Sequence, residues 1–253
     1  MQFPDSPLSP KGILSHTFHL LPILIKNAWL FVVLLILTKL AYLFTQVYIS
    51  DRWLLTLTII FLDIFALLCF TILIRQAWRA WQGMTLLPLK NFFKPFFSTL
   101  LVTILLWLMM MIAYELAVWI GRFFLYVLGE NRGKLMAAAV TFIVGFVLVA
   151  VLLMFFYVIP AVALNDTSLY QSFHYSWHAA GYNFSKTLLG FIILFLMTLL
   201  LTPTTYMLYG HLSVELAVIF DMVMSILIYP LLISYYLVLY RDSQVRYALR
   251  YED

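Results

Sequence analysis

Charged residues are scarce in this chain. Only 10% of its 253 residues are Asp, Glu, Lys or Arg, whereas a soluble domain carries roughly 25%. Hydrophobic residues make up 65% of the sequence, and its mean hydropathy is +1.01. So few charged side chains cannot form the water-facing surface of a soluble domain of this size. The composition therefore excludes an ordinary water-soluble domain and predicts an integral membrane protein.

Cysteine and the common catalytic motifs are also missing. The single cysteine, Cys69, lies inside an apolar run, so the sequence contains no disulfide framework. It has no Walker-type phosphate loop, no Cys-x-x-Cys pair, no His-Glu-x-x-His motif and no nucleophile elbow. We therefore expect no enzymatic activity, no catalytic residues and no cofactor.

Basic runs of the kind that bind nucleic acid are absent as well. Lys and Arg number 15 against 11 Asp and Glu, but the basic residues are scattered beside apolar segments. The expected partners are therefore membrane lipids, membrane proteins or a second copy of the chain. Residues 1–26 show no short apolar core with a cleavage site, so we expect the first apolar segment to be a permanent anchor.

Long apolar runs dominate what the sequence does contain. A helix needs about 20 mostly apolar residues to cross about 30 Å of hydrocarbon. Backbone groups exposed to lipid find no water there, so each span has to be helical. The sequence therefore predicts an all-α integral membrane protein that forms a single membrane domain over 1–253, with its helices paired as three hairpins. The six predicted spans are about 28–49, 53–74, 98–120, 135–159, 187–207 and 214–239.

Positive charge is divided unevenly between the two sides of the predicted bundle. One side receives ten Lys and Arg residues and the other receives four. Since cytoplasmic loops carry the excess of Lys and Arg, both termini are predicted to be cytoplasmic. The ten are Lys11, Lys26, Arg75, Arg79, Lys90, Lys94, Lys186, Arg241, Arg246 and Arg250, and the four are Arg52, Arg122, Arg132 and Lys134.

Two opposite charges fall near the middle of the first predicted hairpin. At the helical rise per residue, Lys39 lies about 16 Å along the first span and Asp63 about 15 Å along the second. A lone charge at mid-bilayer costs roughly 2.5–3.5 kcal/mol on insertion scales. We therefore predict an intramembrane Lys39–Asp63 ion pair that locks the hairpin. A proton or ion relay through the same residues is the open alternative.

The other polar groups of the spans gather in the predicted outer half. Glu115 lies about 25 Å along the third span and Asp221 about 10 Å along the sixth, with Glu215 and His211 at the outer mouth. Pairing of Glu215 with His211, and of Glu115 with Arg122, would neutralise the carboxylates. Alternatively, these residues line a polar cavity that binds a cationic group or relays protons. Both interpretations stay open.

Residues 163–184 form the longest polar stretch between two apolar runs. His174 and His178 are four apart, the spacing that places two imidazoles on one helix face. A zinc site needs three or four ligands, and the nearest carboxylate, Asp166, lies about two turns earlier. The spacing is therefore too weak to predict a metal site, and we expect none.

The same stretch has the periodicity of an amphipathic helix over 167–184. Ser168 and Gln171 have the spacing of a capping box, which predicts the start of the helix. The helix is expected to lie in the cytoplasmic interface with its apolar stripe toward the membrane. The stripe consists of Leu169, Phe173, Trp177, Ala180 and Phe184, and the opposite side carries Gln171, Tyr175, His178 and Tyr182.

The order of residues around this helix resembles a known family. An apolar span that ends at Pro160 is followed by Asp166, Ser168, Ser172, Ser176-Trp177 and Asn183 before the next span. Over 157–190 this order resembles the YciC-like bacterial inner-membrane proteins and, more distantly, the membrane domain of some glycerophosphodiester phosphodiesterases. The resemblance implies a multi-pass protein of the bacterial cytoplasmic membrane, without a phosphodiesterase domain.

Two functional hypotheses are compatible with these features. The first is a non-enzymatic inner-membrane protein of envelope maintenance or membrane-complex assembly, which binds lipid or partner proteins through its interfacial helices. The second is a small transporter or lipid-handling protein that uses the outer acidic cluster. A water-accessible cavity that reaches Glu115, Asp221 and Glu215 would favour the second hypothesis, whereas side chains capped by Arg122 or by hydroxyl groups would favour the first.

Overall fold

The chain folds almost entirely into α-helices. The computed structural model describes residues 4–85, 87–165, 167–201 and 214–251, and within these ranges the description leaves out the side chains at 42–44, 46–48, 89–90, 130–131, 195, 197–201, 214–222 and 251. The described residues contain no β-strand, so the all-α prediction is confirmed for them. The elements are α1 Pro10–Tyr48, α2 Arg52–Trp81, a short 3-10 helix Leu89–Phe92, α3 Phe93–Met154, α4 Val158–Asn165, α5 Leu169–Tyr182, α6 Phe184–Leu201 and α7 Val214–Tyr251.

The first two helices extend well beyond the predicted spans. α1 begins at Pro10 rather than at 28, and α2 ends at Trp81 rather than at 74. The Ser9 hydroxyl caps α1 by accepting a hydrogen bond from the Gly12 amide at 3.1 Å, and Pro10 fits the first turn, where its missing N–H is not needed. Hydropathy detects only the apolar part of a helix, whereas caps and stop signals decide where the helix begins and ends.

A glycine turn divides α3 into a first arm (93–129) and an antiparallel second arm (132–154). Gly129 has a φ of +74°, a conformation that glycine adopts without steric cost. Gly133 lies directly against the first arm, since a Cβ added to it would be 2.6 Å from the Leu125 Cα. The two arms therefore meet with no space for a side chain at Gly133.

We expect Gly133→Ala to lower the free energy of unfolding by about 1–3 kcal/mol, as overpacking typically does. The added methyl group would meet backbone atoms of the first arm, which cannot rotate away as a side chain could. Gly145→Ala is the matched control, because nothing lies within 4 Å of a Cβ added there and alanine is the better helix former. Thermal unfolding of both variants in detergent measures the difference, and equal midpoints would contradict the tight turn.

Several helices of the described part are long and apolar enough to cross a membrane. Their exposed faces are strongly hydrophobic; Leu135 and Phe142 on the second arm of α3 are 74% and 76% exposed. Such surfaces require lipid, so the chain is a multi-pass membrane protein. The predicted fifth span, 187–207, extends into 202–213, which lies outside the described residues, so the six-span arrangement stays a prediction. The helices that qualify are Pro10–Ala41, Arg52–Trp81, Phe93–Gly129, Arg132–Asn165 and Val223–Arg250.

The packed core lies at one end of the bundle, which we call the inner end. It joins the N-terminal half of α1 to the C-terminal halves of α2 and α7, with α4 and α5 beside them. Toward the other end one face of α2 is uncovered, and Trp53, Leu57 and Phe61 are 82%, 64% and 66% exposed. The protein therefore covers α2 less completely beyond the core than within it. Fully buried core residues include Leu20, Leu24, Leu73, Ile74, Leu237, Val238 and Tyr240.

Candidate functional site

A large cavity lies between α1, α2, the first arm of α3 and α7, next to the inner core. Its volume is about 920 Å³, and ligand cavities in proteins typically measure roughly 300–1,000 Å³. The walls are mainly aliphatic and aromatic but include one lysine and one aspartate. The lining residues are Leu35, Thr38, Lys39, Ile60, Leu62, Asp63, Ile64, Ala66, Leu67, Phe70, Leu100, Thr103, Ile104, Trp107, Tyr229, Leu232 and Ile233.

The cavity opens between α2 and α3. Ile60 and Ile64 on α2 are 50% and 41% exposed, and Ile104 and Trp107 on α3 are 43% and 58% exposed. Because these helices are long and apolar enough to cross a membrane, an exposed apolar rim on them faces acyl chains rather than water. A hydrophobic ligand would therefore enter the cavity sideways from the bilayer.

The threonines of the cavity wall direct their hydroxyl groups to their own helices. Thr38 donates to the Leu34 carbonyl oxygen at 2.7 Å, and Thr103 donates to the Thr99 carbonyl oxygen at 2.9 Å. This bond to the preceding turn satisfies the hydroxyl hydrogen without a ligand. The charged residues in the lining are Lys39 and Asp63.

Lys39 extends from α1 toward α7. Its Nζ donates a hydrogen bond to the Ser225 Oγ at 3.1 Å and lies 5.9 Å from the centroid of the Tyr229 ring. Ser225 is fully buried. A hydroxyl acceptor and an aromatic ring both stabilise an ammonium group inside an apolar environment. Ser225 and Tyr229 therefore stabilise the charged ammonium group of Lys39 in this wall of the cavity.

The predicted ion pair between Lys39 and Asp63 is not formed. The two residues share the cavity, but within the described part of the chain no residue makes a hydrogen bond or ion pair with the Asp63 carboxylate. The physical reason is the direction of Lys39, which turns toward Ser225 on α7. The rise per residue gives the depth of a charge in a span but not its direction around the helix axis.

The predicted outer polar cavity is only partly within the described structure. Glu115 is exposed and lines a shallow depression with a volume of about 460 Å³, together with apolar residues of its own helix. Arg122 is exposed too, and these two described residues form no ion pair with each other. His211 lies outside the described residues, as do the side chains of Glu215 and Asp221. That part of the prediction stays untested.

α5 occupies most of the predicted helix 167–184, and its predicted capping box is confirmed. The Gln171 amide donates to the Ser168 Oγ at 3.3 Å, and the Ser168 amide donates to the Gln171 side chain at 3.2 Å. Asp166, which precedes the cap in the sequence, lies outside the described residues. The sequence therefore located this helix start correctly from the cap alone.

The buried face of α5 differs from the predicted one. Leu169 and Phe173, expected to face the membrane, pack instead against α3 and α4, while Trp177 is 51% exposed. Small side chains let α5 approach the protein closely, and apolar periodicity alone does not distinguish contact with protein from contact with lipid. The buried small residues are Ser172, Ser176, Ala179 and Ala180, and the partners of Leu169 and Phe173 are Val102, Val158 and Val162.

Tyr175, which the helical periodicity placed on the outward side, turns inward toward α7. Its hydroxyl forms a 2.7 Å hydrogen bond with the Ser243 Oγ, and its ring lies 5.9 Å from the Tyr240 ring and 5.1 Å from the Tyr247 ring, measured between centroids. Burial, followed by the nearby Tyr240, raises the pKa of Tyr175 well above its usual value. The hydroxyl is therefore a neutral structural hydrogen-bond donor or acceptor.

Ser176 joins α5 to a break in the preceding helix. The turn at 155–157 separates α3 from α4 and leaves backbone groups without helical partners. The Ser176 hydroxyl donates to the Met154 carbonyl oxygen at 2.8 Å and accepts from the Tyr157 amide at 3.0 Å. One side chain thus satisfies both sides of the break, a role that the sequence did not indicate.

Asn183 connects α5 to α6. Its amide donates to the Ala179 carbonyl oxygen at 3.3 Å, and its own carbonyl oxygen accepts from the Thr187 amide at 2.9 Å. The Thr187 hydroxyl in turn forms a 3.2 Å hydrogen bond with the Tyr157 hydroxyl. Asn183 therefore ends one helix and starts the next, and this geometry connects the junction to the α3–α4 break.

A charged cluster at the inner end binds the segment that precedes α1. Asp242 accepts from the Leu8 amide at 2.6 Å and from Arg246 Nε at 2.9 Å, while the Leu8 carbonyl oxygen accepts from Lys186 Nζ at 2.7 Å and from Arg246 Nη2 at 2.9 Å. We call Leu8, Lys186, Asp242 and Arg246 the inner clamp. The only sequence signal for it is the i, i+4 spacing of Asp242 and Arg246.

A second cavity of about 320 Å³ lies beside α5 at the inner end. His174 is in its wall and lies next to His178, with 4.4 Å between ring centroids and an angle of 55° between the ring planes. Among the described residues there is no group of three side chains able to hold a metal ion. The cavity is lined by Ala161, Asn165, Thr167, Tyr170, Gln171, His174, Tyr175 and Tyr247.

Comparison of the chain with protein-family models, with curated proteins and with solved structures gives no match. The geometry and chemistry of the cavities are therefore the basis for a functional proposal. Of the described cavities, the one between α1, α2, α3 and α7 combines the greatest volume with charged groups.

Proposed function

We propose that this protein binds a membrane lipid in the cavity between α1, α2, α3 and α7 and thereby serves lipid handling or envelope maintenance without catalysing a reaction. The observation that carries the proposal is an apolar cavity of about 920 Å³ that contains Lys39 and Asp63. Apolar walls suit acyl chains, and the two charges suit a polar headgroup. A cavity with both features is suited to an amphiphilic ligand.

The opening between α2 and α3 supports a lipid rather than a water-soluble solute. A solute from water would have to pass the exposed isoleucines and Trp107 at this rim, whereas a lipid already surrounds them. The proposal thus keeps lipid binding from both functional hypotheses but moves it from the outer acidic cluster to the cavity. Glu115, the described carboxylate of that cluster, lies on a surface formed by a single helix.

The location of the protein belongs to the same proposal. We propose a YciC-like protein of the bacterial cytoplasmic membrane with six spans, cytoplasmic termini and α5 lying near the cytoplasmic interface. The excess of Lys and Arg at the inner end supports this orientation. Labelling of single cysteines introduced at Asp5 and at Arg122 with a membrane-impermeant reagent in intact cells tests it, because only the second should react from outside.

Filling the cavity should reduce lipid binding. Ala66 lines the cavity, so Ala66→Trp would occupy part of its volume. Ala139→Trp is the matched control, because Ala139 lies exposed on the second arm of α3. We expect native mass spectrometry of the detergent-purified proteins to show bound phospholipid on the wild type and on Ala139→Trp, and about tenfold less on Ala66→Trp, equivalent to roughly 1.4 kcal/mol.

Equal lipid retention by the two tryptophan variants would contradict the proposal. Saturable uptake of a water-soluble solute by liposomes containing the protein would instead favour the small-transporter hypothesis. Circular dichroism of both variants establishes that the helices are intact, so a loss of lipid in Ala66→Trp reports on the cavity and not on unfolding.

A further inference from the structure

We infer that the cavity selects a zwitterionic phospholipid with a primary ammonium group, of the phosphoethanolamine type, whose ammonium meets Asp63 and whose phosphate meets Lys39. This inference rests on the proposed lipid binding and adds the headgroup class. It depends on the placement of opposite charges in the wall of one cavity. A zwitterionic headgroup likewise combines two opposite charges, a phosphate and an ammonium, in one group.

Asp63 is the acidic group of the proposed headgroup site. Its carboxylate lines an apolar cavity, and none of the described residues forms a hydrogen bond or ion pair with it. A carboxylate in apolar surroundings costs several kcal/mol unless a cation or hydrogen-bond donors meet it. A ligand ammonium would supply both the charge and the donors, and the Phe70 and Trp107 rings in the same wall would stabilise it further.

Lys39 and Ser225 form the basic side of the proposed headgroup site. Their 3.1 Å hydrogen bond holds the ammonium of Lys39 at the junction of α1 and α7, with the Tyr229 ring beside it. A phosphate oxygen attracted to this position would meet a positive charge and a hydroxyl group on the same wall. Lysine is a common ligand of phosphate because it acts as a compact positive charge with several donors.

The presence of both charges discriminates among headgroups. An anionic headgroup would be attracted by Lys39 but repelled by Asp63, because it brings no cation to the carboxylate. A quaternary ammonium would bring a cation but no N–H, so it would not make a charge-assisted hydrogen bond to Asp63. A primary ammonium joined to a phosphate satisfies both residues at once, which is why we choose this class.

The test is a competition between three phospholipids with identical acyl chains. Delipidated wild-type protein is mixed with equal amounts of phosphatidylethanolamine, phosphatidylcholine and phosphatidylglycerol, and native mass spectrometry counts the bound species. We expect phosphatidylethanolamine to be retained about tenfold more than phosphatidylglycerol, which is the size of one charge-assisted hydrogen bond. Asp63→Asn should abolish this preference, whereas Asp63→Glu should keep it.

A complementary variant, Lys39→Gln, should weaken binding of all three lipids, because each of them carries a phosphate. Equal binding of the three lipids to the wild type, or a preference retained in Asp63→Asn, would overturn the inference while leaving lipid binding itself intact. If Asp63→Asn fails to fold, Ala66→Trp decides the question. It should lose the preference together with the lipid, and a preference that survives a filled cavity would place the headgroup elsewhere.

Discussion

Replacing Asp242 by alanine is expected to destabilise the protein more than any other single substitution considered. The Asp242 side chain is only 4% exposed, and its carboxylate accepts hydrogen bonds from the Leu8 amide and from Arg246. Removing one partner of a buried ion pair typically lowers the free energy of unfolding by about 3–5 kcal/mol, because the other charge is left without compensation.

The cations that remain explain this magnitude. Lys186 and Arg246 have side chains 28% and 23% exposed, and both also donate to the Leu8 carbonyl oxygen. Without Asp242 they repel each other at the same acceptor, while the Leu8 amide loses its partner. We therefore expect the segment before α1 to detach from α7, and with it the packing of the N-terminal end of α1.

Asp5→Ala is the matched control for this prediction. Asp5 also forms an ion pair, with Arg241 at 3.0 Å, but its side chain is 87% exposed. Exposed pairs contribute about 0–1 kcal/mol, because water and salt screen them. Thermal unfolding and limited proteolysis near residue 8 should distinguish the two variants. A similar loss of stability in both, or in neither, would show that the inner clamp does not hold the segment.

The long helices were accessible from the sequence because their cause is local. A run of apolar residues has to be helical wherever it meets lipid, and no knowledge of neighbouring helices is needed to infer it. The capping box at Ser168 and Gln171 is local in the same sense and was located correctly. The lengths of the helices were harder to predict from the sequence, because α1 and α2 continue past the apolar run until a cap or turn ends them.

The directions in which side chains point around the helix axes could not be predicted from the sequence, and these directions determine the candidate site. Depth placed Lys39 and Asp63 at similar levels, but Lys39 turns toward Ser225, and the two charges become parts of one cavity rather than one ion pair. Tyr175 likewise turns toward Ser243, although the apolar stripe placed it outside. In both cases a partner far away in the sequence decides the direction.

Ser176→Ala is the prediction with the second largest expected effect. The hydroxyl is fully buried and serves two backbone groups at the α3–α4 break, the Met154 carbonyl oxygen and the Tyr157 amide. A buried polar group left without a partner costs about 1–3 kcal/mol, so the loss of both bonds should lower the free energy of unfolding by about 2–4 kcal/mol. The removed atom is small, so lost packing contributes little to this value.

Two other serines of the same region separate the bridging role from a general effect of serine loss. Ser168→Ala removes only the exposed cap of α5 and should cost about 1 kcal/mol. Ser185→Ala lies on an exposed position of α6 and should change stability little. Hydrogen exchange of the Tyr157 amide should accelerate in Ser176→Ala alone. If Ser168→Ala destabilised the protein as much as Ser176→Ala, the cap of α5 would matter as much as the hydrogen bonds across the α3–α4 break. That result would contradict the bridging role of Ser176.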